Sequence, residues 1–260
     1  VPAVLKLTIN IGGVTMTEFN KSNWAKAGFS QQYIDKADIY IVERRRMFGL
    51  LVSFYNHFLR GKPNRILDLG CGDGILAHEL LKVDDAISAT LVDGSADMLR
   101  KTRERLKDFK SVQLIKASFQ ELLAKDFFEP GFDLVFSSLA IHHLTTDEKS
   151  SMFGKIYSWL NYGGYFVNID VVLASDESLD SWYLKLWQEW MDDRKAAFGI
   201  SDSISDDIIR RYKDNKDNKP DTLDDQLDAL KGMGFQEVDC FYKYGIFSIY
   251  GGRKSENLSG

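Results

Sequence analysis

Cysteine is scarce in this chain: two in 260 residues, Cys71 and Cys240, far apart and in no C-x-x-C spacing. That excludes a disulfide scaffold and a zinc module, and it suits a reducing, cytoplasmic setting. Positive charge is also in deficit, with 33 Lys and Arg against 38 Asp and Glu and a formal charge of -5. Proteins that grip a phosphate backbone at many points carry a basic excess or stripe, so no nucleic-acid partner is expected. No run of 18 or more apolar residues offers a membrane span. The opening VPAVLKLTINIGGVTM lacks the basic leader and small-residue cleavage site of a secretion signal. Residues 1–18 read as a flexible leader and 253–260 as a flexible tail, which leaves 19–252 as one domain. What the chain does hold is apolar residues, 44% of the total, enough for one substantial core.

Those residues are arranged in a βα rhythm. An apolar stripe of Leu51, Phe54, Tyr55 and Phe58 predicts a helix from about Ile41 to Leu59, stopped by Gly61 and Pro63. Short apolar runs then alternate with helical patterns: RILDL, ISATLVD, VQLIKAS, FDLVFSS and GYFVNIDVV. FQEVDCFYKYG and IFSIYGG close the chain as a candidate antiparallel pair. Five strands alternating with helices predict a three-layer α/β sheet. The polar, tryptophan-containing stretch 178–230 is too long for an ordinary connection and reads as a helical cap, with 19–60 as an N-terminal helical lid.

The chemistry concentrates at ILDLGCGDG, residues 66–74. Ligands of such sheets bind at the carboxyl ends of strands. Gly70, Gly72 and Gly74 there suggest a turn pressed against something, with helix N–H groups aimed at a negative group. The order is G-x-G-x-G rather than the dinucleotide G-x-G-x-x-G, and Asp68 stands just inside it. A carboxylate suits an ammonium group better than a pyrophosphate, which counts against a nicotinamide dehydrogenase. Asp93, at the end of the next strand, is placed to accept both hydroxyls of a ribose.

Together, DLGCGDG, LVDGSADML, the ASF at the third strand end and FDLVFSSLAIHHL resemble the class I S-adenosylmethionine-dependent methyltransferases. The resemblance implies a Rossmann-like sheet of seven strands with the last antiparallel. It implies S-adenosyl-L-methionine as cofactor and S-adenosyl-L-homocysteine as product. By the same resemblance Asp68, Gly70, Cys71, Gly72 and Gly74 hold the methionine portion and Asp93 the ribose. Gly94, Ser95 and Met98 flank the adenine, and Ser118 and Phe119 meet its edge. Ser137 on the fourth strand and Tyr33 and Arg45 on the lid complete the expected cofactor contacts.

His142 and His143 are candidate catalytic residues, since histidine is the natural base near neutral pH. A loop-structuring role competes for the pair, because adjacent side chains point in different directions. Tyr40, Arg44, Asp170, Trp187 and Tyr244 are candidate substrate contacts. Asp170 equally suits capping the next segment, and Trp187, with Trp182 and Trp190, equally suits cementing the cap. No ligand spacing supports a metal. The leading expectation is a cytoplasmic methyltransferase acting on a small molecule, as monomer or homodimer. The alternatives are a nucleic-acid or tRNA base methyltransferase and a non-catalytic cofactor-binding regulator or scaffold.

Overall fold

The structure is a computed structural model that describes residues 19–25, 29–200, 208–210, 212 and 216–255. The expected leader, 1–18, lies outside the described residues, as does most of the expected tail.

Seven strands form one sheet in the order β3-β2-β1-β4-β5-β7-β6. β1 (Arg65–Leu69), β2 (Ser88–Asp93), β3 (Val112–Lys116), β4 (Phe132–Ser138) and β5 (Leu160–Val171) run parallel. β7 (Phe247–Lys254) inserts antiparallel between β5 and β6 (Phe235–Tyr244). The seven-stranded sheet with an antiparallel last strand is therefore as expected. β5 begins earlier than its apolar core, taking in the turn-like Asn161–Gly164 with a register shift opposite Phe132 and Leu134. β7 runs to Lys254, whose ammonium donates to the carbonyls of Tyr157 and Leu160.

Strand alternation divides the core between two faces. Ile66, Leu134, Phe136, Val167 and Ile169 point to one side, where α2 (Arg44–Phe58), α3 (Ile75–Val83), α4 (Ala96–Arg105) and α7 (Glu177–Ala197) pack. Leu67, Leu69, Val135 and Phe166 point to the other, against α5 (Phe119–Ala124), α6 (Thr146–Trp159) and α8 (Leu223–Gly232). α2 buries Met47, Leu51 and Tyr55 in the first of these cores. It is a layer of the sandwich rather than a lid, and α1 (Phe29–Tyr40) leads into it. α7, the main helix of the expected cap, likewise sinks Leu184, Trp187 and Met191 into that core.

The strand order reverses beside β1, whose neighbours are β2 and β4. A crevice opens at such a switch point, on the carboxyl side of the strands. The loops after β1, β2, β3 and β4 all end there.

Candidate cofactor and active site

The glycines of the loop after β1 answer to two different demands, close packing at Gly70 and open space at Gly72. Gly70 has φ +70°, and a Cβ on it would lie 2.5 Å from the Cβ of Ala140 in the loop after β4. Gly72, at φ +56°, would put a Cβ into open space instead. The Gly72 N–H donates to Oδ2 of Asp93 (2.9 Å), and the Ser95 N–H donates to Oδ1 (2.7 Å). A carboxylate has about four acceptor positions, so these two N–H groups leave about two on Asp93, which lines the larger cavity. Burial pushes the Asp93 carboxyl up to about 6, against the lowering effect of those two N–H groups.

Asp68 is buried at 2% exposure, and its Oδ2 accepts no hydrogen bond from any described residue. Burial, with Asp93 and Asp73 nearby, holds its carboxyl well above the usual range. A buried acceptor without a donor is costly, and the cost falls when a cationic donor arrives. Asp68, Gly70 and Arg44 line a small cavity of about 50 Å³. That cavity shares Gly70, Gly72, Met98, Ser138 and Leu139 with a larger one of about 370 Å³. The larger one also takes in Asp93, Gly94, Ser118, Phe119 and His143.

Leu139, which lines both, sits at φ +53°, a left-handed conformation uncommon for a side-chain-bearing residue. Its N–H is held by the carbonyl of Ile169 at 2.7 Å, so the sheet itself enforces the bend at the end of β4.

Two chain segments roof the larger cavity. Phe19 and Trp24 come from two 3-10 turns at the N-terminal side, with Ser22 between them, and Lys216, Asp217 and Lys219 from the segment after α7. Both are pinned to the two histidines. The indole N–H of Trp24 donates to Nε2 of His143 (3.0 Å), and Nδ1 of His143 meets the Asp217 carbonyl at 3.0 Å. Nδ1 must therefore carry the proton and Nε2 the lone pair. Burial and the neighbouring His142 lower the His143 imidazole to about 3, so it is neutral at physiological pH. Lys219 donates its backbone N–H to the His142 carbonyl and its ammonium to the His143 carbonyl.

His142 faces the other way. Its Nδ1 lies 2.5 Å from Oδ1 of Asp170, and its backbone N–H donates to Oδ2. Burial raises the Asp170 carboxyl, but the attraction and hydrogen bond of His142 outweigh it and hold the group low. Asp170 also accepts from Val171 and from Asn168, which bonds Tyr250 and through it Gln226. Asp170 thus fixes the loop from within the core and does not line the cavity.

Of the other expected contacts, some line a cavity and the rest lie apart from it. Gly74 caps α3 against Thr102, and Ser95 caps α4 through the Met98 N–H. Ser118 lines the cavity, but its hydroxyl is engaged with Glu121 in the cap of α5. Cys71 touches the small cavity, with burial raising its thiol well above the ordinary value. Ser137 is fully buried and donates to the Leu69 carbonyl, while its neighbour Ser138 faces the cavity. Arg45 is 72% exposed and paired with Asp38. Trp187 is core, its indole donating to the Tyr40 carbonyl, and Tyr40 packs beside it. Tyr244 stands near Trp190, away from the cavity. The side chain of Tyr33 lies outside the described residues.

Residues 66–164 match a family model described as a methyltransferase domain. A carboxy-S-adenosyl-L-methionine synthase of Helicobacter pylori (strain G27) is 25% identical over 202 residues, which is 76% of this chain and 78% of that protein. Among solved structures, the S-adenosylmethionine-dependent methyltransferase SibL superposes with a TM-score of 0.60 at 14% identity over 89% of this chain. An O-methyltransferase family protein of Burkholderia thailandensis gives 0.62 at 11% over 92%. The chain spans 60% and 63% of those two proteins.

The fold is that of the class I S-adenosylmethionine-dependent methyltransferases.

In this methyltransferase fold, several strand-end residues expected from the sequence border the crevice, whereas the roof residues and Ser138, Leu139 and Gln120, which also line it, carry no signal in the sequence. Trp24 is one aromatic in a polar stretch, with nothing in the sequence to single it out. Residues 216–219 belong to a Lys- and Asp-rich run with no periodicity to place it.

Proposed function

We propose that the chain is an S-adenosylmethionine-dependent methyltransferase that moves a methyl group to a small-molecule acceptor. The observation that carries this reading is the donor-less Oδ2 of buried Asp68, set across the glycine loop from Asp93. A ligand with an ammonium group at one end and a ribose diol at the other satisfies both carboxylates. When bound, the cofactor would supply an electrophilic methyl with its sulfur as leaving group for the acceptor's lone pair, any acceptor proton passing to a base or to water. Arg44, anchored by Asp38 at 2.8 Å, faces the small cavity and suits the cofactor's carboxylate. Phe119 and Met98 offer apolar surface to the adenine. The roof of Trp24 and Asp217–Lys219 excludes water and aligns the reactants, the main requirement of an in-line displacement.

With the roof in place His143 has both nitrogens engaged, so its role in this state is to latch the two roof segments. It can act as a base only once Trp24 withdraws from Nε2.

The curated relatives favour a second reading, formation of a carboxylated S-adenosylmethionine rather than a methylated acceptor. Mass spectrometry of products from S-adenosylmethionine and a metabolite extract separates the two. S-adenosylhomocysteine with a compound heavier by one methylene supports methyl transfer, and a carboxylated cofactor supports the second reading. Neither product, with S-adenosylhomocysteine binding intact, would leave a non-catalytic binder and overturn the proposal.

A further inference from the structure

We infer that the acceptor carries a negative charge, recognised by lysines at the mouth of the cavity; this rests on the methyltransferase reading above. The molecule as a whole is acidic, at -5. Among the described residues, its cavity is lined by the opposite balance near the roof: Lys21, Lys216 and Lys219, against Asp217. The other lining carboxylate among the described residues, Asp93, is engaged by the Gly72 and Ser95 N–H groups.

The state of these lysines matters more than their number. Lys219 spends its ammonium on the His143 carbonyl, a neutral acceptor, so its charge is held in place without being cancelled. Its field is felt at the His143 ring, where it contributes to lowering that imidazole. Lys216 is exposed and has no hydrogen-bond or ion-pair partner among the described residues. A cleft with low-dielectric walls concentrates such a field, and a cationic sulfur bound below would add to it. Trp24, Phe19 and Leu144 supply the apolar walls between these charges. The chemistry that fits is a small apolar or aromatic acid whose carboxylate, or equivalent anion, meets the lysines while its body rests against Trp24.

Benzoate and benzamide have nearly the same size and shape and differ in charge. Titrated calorimetrically into the chain saturated with S-adenosylhomocysteine, benzoate is expected to bind at least roughly five-fold more tightly than benzamide, with the preference shrinking as salt is added. In a Lys21→Gln, Lys216→Gln double variant the preference should fall to near unity. Equal or stronger binding of benzamide, no binding of benzoate, or an undiminished preference in the double variant would overturn the inference. Failure of the wild-type chain to bind S-adenosylhomocysteine in the first titration would fall on the methyltransferase reading instead.

Discussion

His143 shows how one residue's surroundings decide its chemistry. Its imidazole falls from an ordinary 6.5 to about 3 in the folded chain. Between those values the unfolded chain binds a proton that the folded chain refuses, so stability is lost as pH falls below 6.5. At about 1.4 kcal/mol per pH unit, His143 alone should remove roughly 2 kcal/mol by pH 5. Asp93 acts in the opposite sense: its carboxyl is raised to about 6, so the folded chain gains stability as pH falls through that value. The wild-type profile therefore mixes these with other shifted groups, the raised Asp68 carboxyl among them. His143→Gln, whose amide can still accept from Trp24 and donate to Asp217, isolates the histidine. Chemical denaturation at pH 7.5 and pH 5 should show the variant losing about 2 kcal/mol less than wild type. Equal losses would mean that the buried, doubly bonded imidazole is not present in solution.

At the scale of elements, the glycine loop separates shape from ligand space. Gly70→Ala drives a methyl into Ala140 at a left-handed backbone position, so a stability loss of roughly 2–4 kcal/mol is expected from thermal unfolding. Gly72→Ala meets open space, so its stability cost should be only the backbone strain of about 1–2 kcal/mol, while affinity for S-adenosylhomocysteine falls. Equal stability losses would contradict the packing described here.

This contrast also marks what the sequence makes legible. The five parallel strands are readable because strands buried on both faces are continuous apolar runs. The glycines and Asp93 are readable because they sit at the ends of such runs. Ser137 and Ser138 are not distinguishable, since an all-apolar strand carries no alternation to say which neighbour faces the crevice. Trp187 and Tyr40 look like site residues in sequence because aromatics serve core and pocket alike. The structure resolves them as core through the indole–carbonyl bond between them.

Over the whole molecule, the sheet presents a rigid crevice, and the parts that complete it come from far apart in the chain. Trp24 is 119 residues from His143, and Asp217 is 74 residues beyond it. No local pattern encodes such a meeting, which is why the roof escapes sequence reading while the floor does not. Among the described residues no helix is long and apolar enough to cross a membrane, and no cluster of His, Cys, Asp and Glu forms a metal site. The proposed function rests on Asp68 pairing with a cation and Asp93 with a diol across one glycine loop. Calorimetric titration of S-adenosylhomocysteine into the wild-type chain and into Asp93→Ala tests it most directly. Saturable one-to-one binding by the wild type, weakened in the variant by roughly 1–3 kcal/mol, is the expected result. No binding by the wild type, or equal affinity in both, would contradict it.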